Sequence, residues 1–325
     1  MPAPQSIPIL LTPGPTAVPD SVLQQIAEPI IHHRTTEFRQ LFAEVCQRLQ
    51  RLFATDGPVL TIAGSGTTSF EAAQVSFIGK ADGQHARGKT GKVLSIASGK
   101  FGERWQDIYQ VYGVEQVRIN VPWGQAVDPE QVEQALKDHP DVGTVALVHS
   151  ETSTATACDL KTIGQIVRRS SDALLLVDGI TSVGALPLEM DDWGIDILIT
   201  GSQKALMSPP GLGFVGLGQR AVRRLEQTES VGSYCLDLRR WLKSWGSGEM
   251  PFTPPVNLIR GLRVALEMIE DEGRENVWTR TASLAQSTRA ALSAMGLELV
   301  STSPSDAVTG TFYPTGIEDA AFRNA

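Results

Sequence analysis

Cysteine is scarce in this chain. The three present, Cys46, Cys158 and Cys235, stand far apart in the sequence. An odd, scattered set excludes a disulfide framework and a CxxC metal site, so no metal is expected and the thiols read as reduced ones of a cytoplasmic protein. Positive charge is also in short supply: 28 Lys and Arg against 36 Asp and Glu leave a formal net charge of -8. With no basic block to attract phosphates, neither nucleic acid nor an anionic membrane surface is an expected partner, although local donors can still hold a small anion. No uncharged apolar run is long enough to cross a bilayer. The opening "MPAPQSIPILLTPGPT" lacks the basic and apolar regions of a secretory signal. Repeats and low-complexity segments are missing too. What is present is an ordinary globular composition, 42% hydrophobic over 325 residues, enough for one large domain and a smaller one.

The proline-rich residues 1–20 read as an extended N-terminal arm. From about residue 37, apolar Phe38, Leu41, Phe42, Val45, Leu49 and Leu52 recur at helical spacing. Apolar runs then alternate with helix-like segments: "VLTIA" (59–63), "VLSIAS" (93–98), "VRINV", "TVALVHS" (144–150), "ALLLVDG" (173–179), "IDILITG" (195–201) and "LGFVGLG" (212–218). Several are apolar on both faces, as strands of a mostly parallel sheet are when helices cover both sides. The fold class expected is therefore α/β, a mixed, mostly parallel seven-stranded sheet. Residues 219–245 read as helical and arginine-rich, and "NLIRGLRVALEMIEDEG" as a long amphipathic helix. The division expected is an arm (1–20), a large domain (21–272) and a smaller α+β unit (273–325) that includes "LELV" and "TGTFYPTG".

Ligands of an open α/β sheet bind beyond the carboxyl ends of its strands. There the sequence places Gly64-Ser65-Gly66-Thr67-Thr68 after the first run and Phe101 after the second. Thr152 follows "TVALVHS", Asp178 ends "ALLLV", and Gln203 and Lys204 follow "IDILITG". Taken singly, each has an ordinary alternative. "GSGTTS" is as readily a capped strand-to-helix turn as a phosphate cradle. Phe101 reads as core, Thr152 as a turn hydroxyl, Asp178 as a helix N-cap and Lys204 as a solvated cation. The turn lacks the spacing of a nucleotide fingerprint, which favours a lone phosphate group. Together, a phosphate cradle, a flat ring, a carboxylate and a lysine on one rim are what pyridoxal phosphate needs.

The motifs "LLTPGPTAVP", "GSGTTSFEAA", "SGKFGERW", "HSETSTA", "LLLVDGITSVGALPLEMDDWGIDILITGSQKAL" and "PPGLGF" resemble the class V, fold-type-I pyridoxal-phosphate aminotransferases over the whole chain. The nearest likeness is to alanine–glyoxylate and serine–glyoxylate aminotransferases and the cyanobacterial "soluble hydrogenase 42 kDa subunit" proteins. The resemblance implies Lys204 as the Schiff-base lysine, Asp178 as the partner of the pyridinium nitrogen and Phe101 as the stacking ring. It implies Ser65, Gly66 and Thr67 as the phosphate cup, with Gln203 reaching the phosphate and Thr152 the ring hydroxyl or the aspartate. It further implies a homodimer in which Thr253 reaches the neighbouring subunit's cofactor, and Gly14 as a residue of the substrate pocket. The substrates implied are a small amino acid, alanine or serine, and a 2-oxo acid, glyoxylate favoured.

Two departures qualify that expectation. Family members are longer by several dozen residues, so the chain is expected to be truncated at its C-terminus, and no position matches the small-domain arginine that clamps the substrate carboxylate. A tyrosine common near the neighbour's phosphate is Met250 here. Three alternatives follow: a catalytically impaired cofactor-binding protein, a cysteine desulfurase-like enzyme, and a hydrogenase-associated subunit. The desulfurase reading suffers from Phe101 and Gln203 standing where those enzymes resemble one another in having histidines.

Overall fold

Thr35 opens the first long helix by accepting the Phe38 N–H on its hydroxyl at 3.3 Å, a side-chain cap for an otherwise unsatisfied donor. The computed structural model describes residues 10–79, 91–228, 231–245 and 247–323. In chain order the elements begin with α1 (Asp20–Ala27), α2 (Thr36–Phe53), β1 (Val59–Gly64) and α3 (Gly66–Ala73), which runs into a π-helical turn at Gln74–Ile78. Next come β2 (Val93–Ala97), α4 (Lys100–Val111), β3 (Gln116–Asn120), α5 (Pro129–Asp138) and β4 (Thr144–Val148). A two-strand hairpin of β5 (Ser150–Glu151) and β6 (Thr156–Ala157) leads to α6 (Leu160–Ser170), β7 (Leu174–Asp178), β8 (Ile197–Gly201) and β9 (Gly211–Leu217). The chain continues through α7 (Gln219–Glu226), α8 (Leu238–Trp245), α9 (Val256–Glu272), α10 (Arg274–Ala294) and α11 (Asp319–Arg323).

The seven-stranded sheet has the order β1-β9-β8-β7-β4-β2-β3. Only β9 runs against its neighbours, β1 and β8; the other pairings are parallel. β2, β4, β7 and β8 are buried along their whole length. Their side chains point alternately into two apolar layers. Leu94, Leu175 and Val177 join the layer with α2 and α9, whereas Val93, Leu174 and Leu176 join the layer with α3, α4 and α8. Each such side chain gains about 1.5–3 kcal/mol on burial, so a strand with two covered faces carries no polar alternation. The α/β architecture expected from the sequence is the one observed.

Two local expectations differ. Residues 219–245 are helical only in part: α7 and α8 are distinct helices, with Gly232 at φ +62° between them. "LELV" and "TGTFYPTG" make a single isolated bridge, Leu299 to Thr311, and no strand among the described residues. Val300 and Phe312 donate across it to the Gly310 and Glu298 carbonyls at 3.0 and 2.9 Å, while Pro304 pairs instead with Thr156.

The register matters for the site. Asp178 at the end of β7 lies opposite Val148 of β4 and Ile199 of β8. Parallel alignment thus brings the carboxyl ends of adjacent strands level, and the residues that follow them meet over one edge of the sheet.

Candidate active site

Those residues enclose a cavity of about 220 Å³. Its wall includes Gly14, Ser65, Gly66, Thr67, Phe101, Thr152, Asp178, Gln203 and Lys204. Every site residue expected from the sequence is there except Thr253, which is exposed on the segment entering α9, outside the cavity wall.

Asp178 is 4% exposed and is held by two donors, the Ile180 N–H to Oδ1 at 2.8 Å and the Trp105 indole N–H to Oδ2 at 3.1 Å. Burial pushes its carboxyl up to about 6; the two N–H groups and the charge of Lys204 oppose that rise, and the charge of Glu151 adds to it. The site thus holds a carboxylate short of a cation.

Lys204 sits on the loop between β8 and β9. Ser202, fully buried, shapes that loop: its hydroxyl donates to the Pro209 carbonyl at 2.6 Å and accepts the Leu212 N–H at 3.3 Å. Burial lowers the pKa of the lysine, with the charge of Asp178 acting in the opposite direction. The Nζ donates to the Pro13 carbonyl at 2.7 Å. Thr16 fastens the same arm to the same loop, its N–H donating to the Gln203 carbonyl at 3.1 Å and its hydroxyl to the Lys204 carbonyl at 2.9 Å. Gly14 therefore lies against the lysine. At φ +139° it has a conformation that disfavours other residues, and a Cβ would stand 2.4 Å from Lys204 Cδ and 2.7 Å from Nζ.

Ser65 caps α3 reciprocally with Thr68, each side-chain oxygen accepting the other's backbone N–H at 3.3 and 3.1 Å. The first-turn N–H groups of Gly66 and Thr67 have no carbonyl four residues back inside the helix, and both residues line the cavity, an arrangement that suits an anion. Gln203 borders the same cavity, and its side-chain carbonyl oxygen is buried without a partner among the described residues. Thr152 presents a hydroxyl that also makes no hydrogen bond among the described residues.

Glu151 and Ser153 stand among the groups that the sequence places after "TVALVHS", but their supporting role, like that of Trp105, escaped the sequence reading. Glu151, fully buried, accepts the Phe101 and Gly102 N–H groups on Oε2, both at 3.1 Å. Its Oε1 accepts the Ser153 N–H at 3.1 Å and the Ser153 hydroxyl at 2.6 Å, and Ser153 Oγ takes the Lys100 N–H at 2.8 Å. This pair caps α4 and so holds the Phe101 ring at the cavity wall. Trp105 was legible only as Phe101 plus four on a helix, a spacing that puts both on one face. Arg104, Ile108 and Ile180 also line that wall.

The sequence model of the family described as aminotransferase class V matches residues 9–321. The chain is 38% identical to the soluble hydrogenase small subunit of Synechococcus sp. over 97% of its own length and 80% of that protein. It is 34% identical to the serine–glyoxylate aminotransferase of Methylorubrum extorquens, covering 96% of this chain and 78% of that one. Its structure superposes on that of an alanine–glyoxylate aminotransferase from Nostoc sp. with a TM-score of 0.89 at 31% identity, covering 98% and 83% of the two chains.

Proposed function

This chain belongs to the class V aminotransferase family, and from that premise we propose that it moves the amino group of alanine or serine to a 2-oxo acid, glyoxylate being the favoured acceptor. The cofactor is pyridoxal phosphate, and the residues present fit it. The open N–H groups of Gly66 and Thr67, with Ser65 and Gln203, suit the phosphate. Asp178, a buried carboxylate short of a cation, suits the protonated ring nitrogen. Phe101 supplies a flat face, Thr152 a free hydroxyl and Lys204 the amine. When bound, the cofactor supplies an electron sink for the substrate's α-carbon.

The observation that carries the reading is the convergence of Asp178 and Lys204 on one small cavity beside an open helix N-terminus. Each residue's task follows from its surroundings. Trp105 and Ile180 orient the Asp178 carboxylate by holding one oxygen each. Lys204 Nζ, with its pKa lowered by burial, is the amine placed to take the proton from the substrate's α-carbon and return it elsewhere. The Thr16 and Pro13 contacts keep the N-terminal arm over that amine and restrict water around it.

The same proposal includes a homodimer, with Thr253 reaching the neighbouring subunit's site; its exposure outside its own cavity supports that assignment. It also includes a cytoplasmic location, for which the three unpaired cysteines are the support. No described helix is long and apolar enough to cross a membrane. The division at residue 273 belongs to the proposal as well, supported by Gly273, at φ +87°, between α9 and α10.

The test is spectroscopic. Incubation with pyridoxal phosphate is expected to give a visible absorbance band that Lys204→Ala lacks, and alanine or serine is expected to bleach it with release of the matching 2-oxo acid. A wild-type band that neither amino acid alters would refute the proposed donors.

A further inference from the structure

Glu151 closes β5 fully buried, and its carboxylate takes four hydrogen bonds, all from neutral donors. Buried charges are ordinarily paired with an opposite charge, so this arrangement asks for a reason. The Phe101 and Gly102 N–H groups reach Oε2, and the Ser153 N–H and hydroxyl reach Oε1. Three of the four are backbone N–H groups, which cannot turn round to accept. A glutamine would set its NH2 against one group of donors or the other, so only a carboxylate satisfies both sides. The chain makes room for it at Gly99, where a Cβ would stand 2.6 Å from Glu151 Cγ and 2.5 Å from Ser153 Oγ.

One turn along α4 from the residues that Glu151 holds, Trp105 donates to Asp178. Phe101 and Trp105 stand four apart on one side of the helix, and both border the cavity. A turn of α4 about its axis that moved the ring off the cavity would therefore also draw the indole off Asp178. The helix is fastened by two buried carboxylates, Glu151 on its backbone and Asp178 on a side chain. They come from the segment after β4 and from the end of β7, which are neighbouring strands.

We propose that Glu151 is a positioning residue of this site, whose buried charge fixes α4 and with it both the Phe101 ring and the Trp105 hold on Asp178. This rests on the roles of Phe101 and Asp178 given above. The charge has a second consequence. The charges that act on Asp178 are those of Glu151 and Lys204. From the other elements around it, α4 turns Trp105 to it and lays Arg104 over the Phe101 ring, and β4 and β8 set apolar Val148 and Ile199 beside it. Burial chiefly, and the charge of Glu151 in addition, push Asp178 up to about 6. Without that charge, the stability that a protonated Asp178 adds is lost at a lower pH.

The experiment uses Glu151→Gln, which removes the charge, and Glu151→Asp, which keeps it but is too short to meet both groups of donors. Each is expected to bind pyridoxal phosphate about tenfold or more weakly than wild type in equilibrium titration. Urea denaturation of the cofactor-free proteins, each with and without Asp178→Asn, isolates the pH dependence that belongs to Asp178. Its midpoint, about 6 in wild type, is expected to move to lower pH in Glu151→Gln and to stay in place in Glu151→Asp. A pure packing role would not produce that split. Wild-type cofactor affinity in either variant overturns the proposal, as does a midpoint that Glu151→Gln leaves unmoved. If Glu151→Gln does not fold, Glu151→Asp decides alone through its cofactor affinity. Undiminished affinity in Phe101→Ala would be a failure of the ring's assigned role; weakened binding there beside normal binding in the Glu151 variants is a failure of this proposal alone.

Discussion

The indole N–H of Trp105 donates to Asp178 Oδ2 at 3.1 Å, so a residue on α4 orients the carboxylate at the end of β7. Helix and sheet are tied at the point where a charge has to be kept in a buried place. Trp105→Phe removes one of two donors to that carboxylate and should raise its pKa further. A hydrogen bond to a charged group contributes about 1.5–3 kcal/mol, so the affinity for pyridoxal phosphate should fall by roughly tenfold or more. Equilibrium titration with the cofactor measures this. Affinity unchanged in the variant would mean that the indole does not support the carboxylate.

Asp178 also makes a prediction about pH. Its folded pKa, about 6, lies above the ordinary 3.8 because of burial. A carboxyl raised in this way adds stability that is complete below about pH 4 and is lost as pH rises through about 6. The loss is at most about 3 kcal/mol, from a shift of roughly two units at 1.36 kcal/mol each. In urea denaturation of the cofactor-free protein, wild type should lose this contribution between pH 4 and pH 7, and Asp178→Asn should not. Identical pH slopes for the two would sink the assignment of a buried, proton-favouring Asp178.

Gly14→Ala tests the arm. The new Cβ would fall 2.7 Å from Lys204 Nζ at a backbone angle of φ +139°. Strain of this kind costs about 1–3 kcal/mol, and the arm or the lysine must shift to relieve it. Formation of the visible cofactor band should slow, and kcat/KM should drop by about tenfold, while the thermal midpoint changes by only a few degrees. Wild-type kinetics in this variant would show that the arm does not govern the lysine.

Most of the fold could be read in advance because parallel strands covered on both faces have to be apolar throughout. Runs such as "LLLVD" and "ILITG" cannot be solvated strands, and each ends where a polar residue begins. Helix α2 was legible through the spacing of Phe38, Phe42, Val45 and Leu49, all of which are buried. The split between α7 and α8 was not, because arginine-rich segments satisfy helical periodicity whether or not the chain turns between them.

For the site, the sequence by itself determined which chemical groups stand at the ends of strands: Asp178, Lys204, the Ser65–Thr67 turn, Phe101 and Thr152. Strand ends are local features, and their order along a parallel sheet places them on one edge. Tertiary structure alone decided which groups support them. Glu151 on Phe101, Trp105 on Asp178, Ser202 in the lysine loop and the Thr16 and Pro13 contacts join segments remote in sequence. Pairings of this kind depend on sheet order and helix rotation, which no local pattern encodes. Arg104 makes the same point in reverse: "FGERW" shows an arginine, but only the packed helix shows that it borders the cavity with its guanidinium over the Phe101 ring.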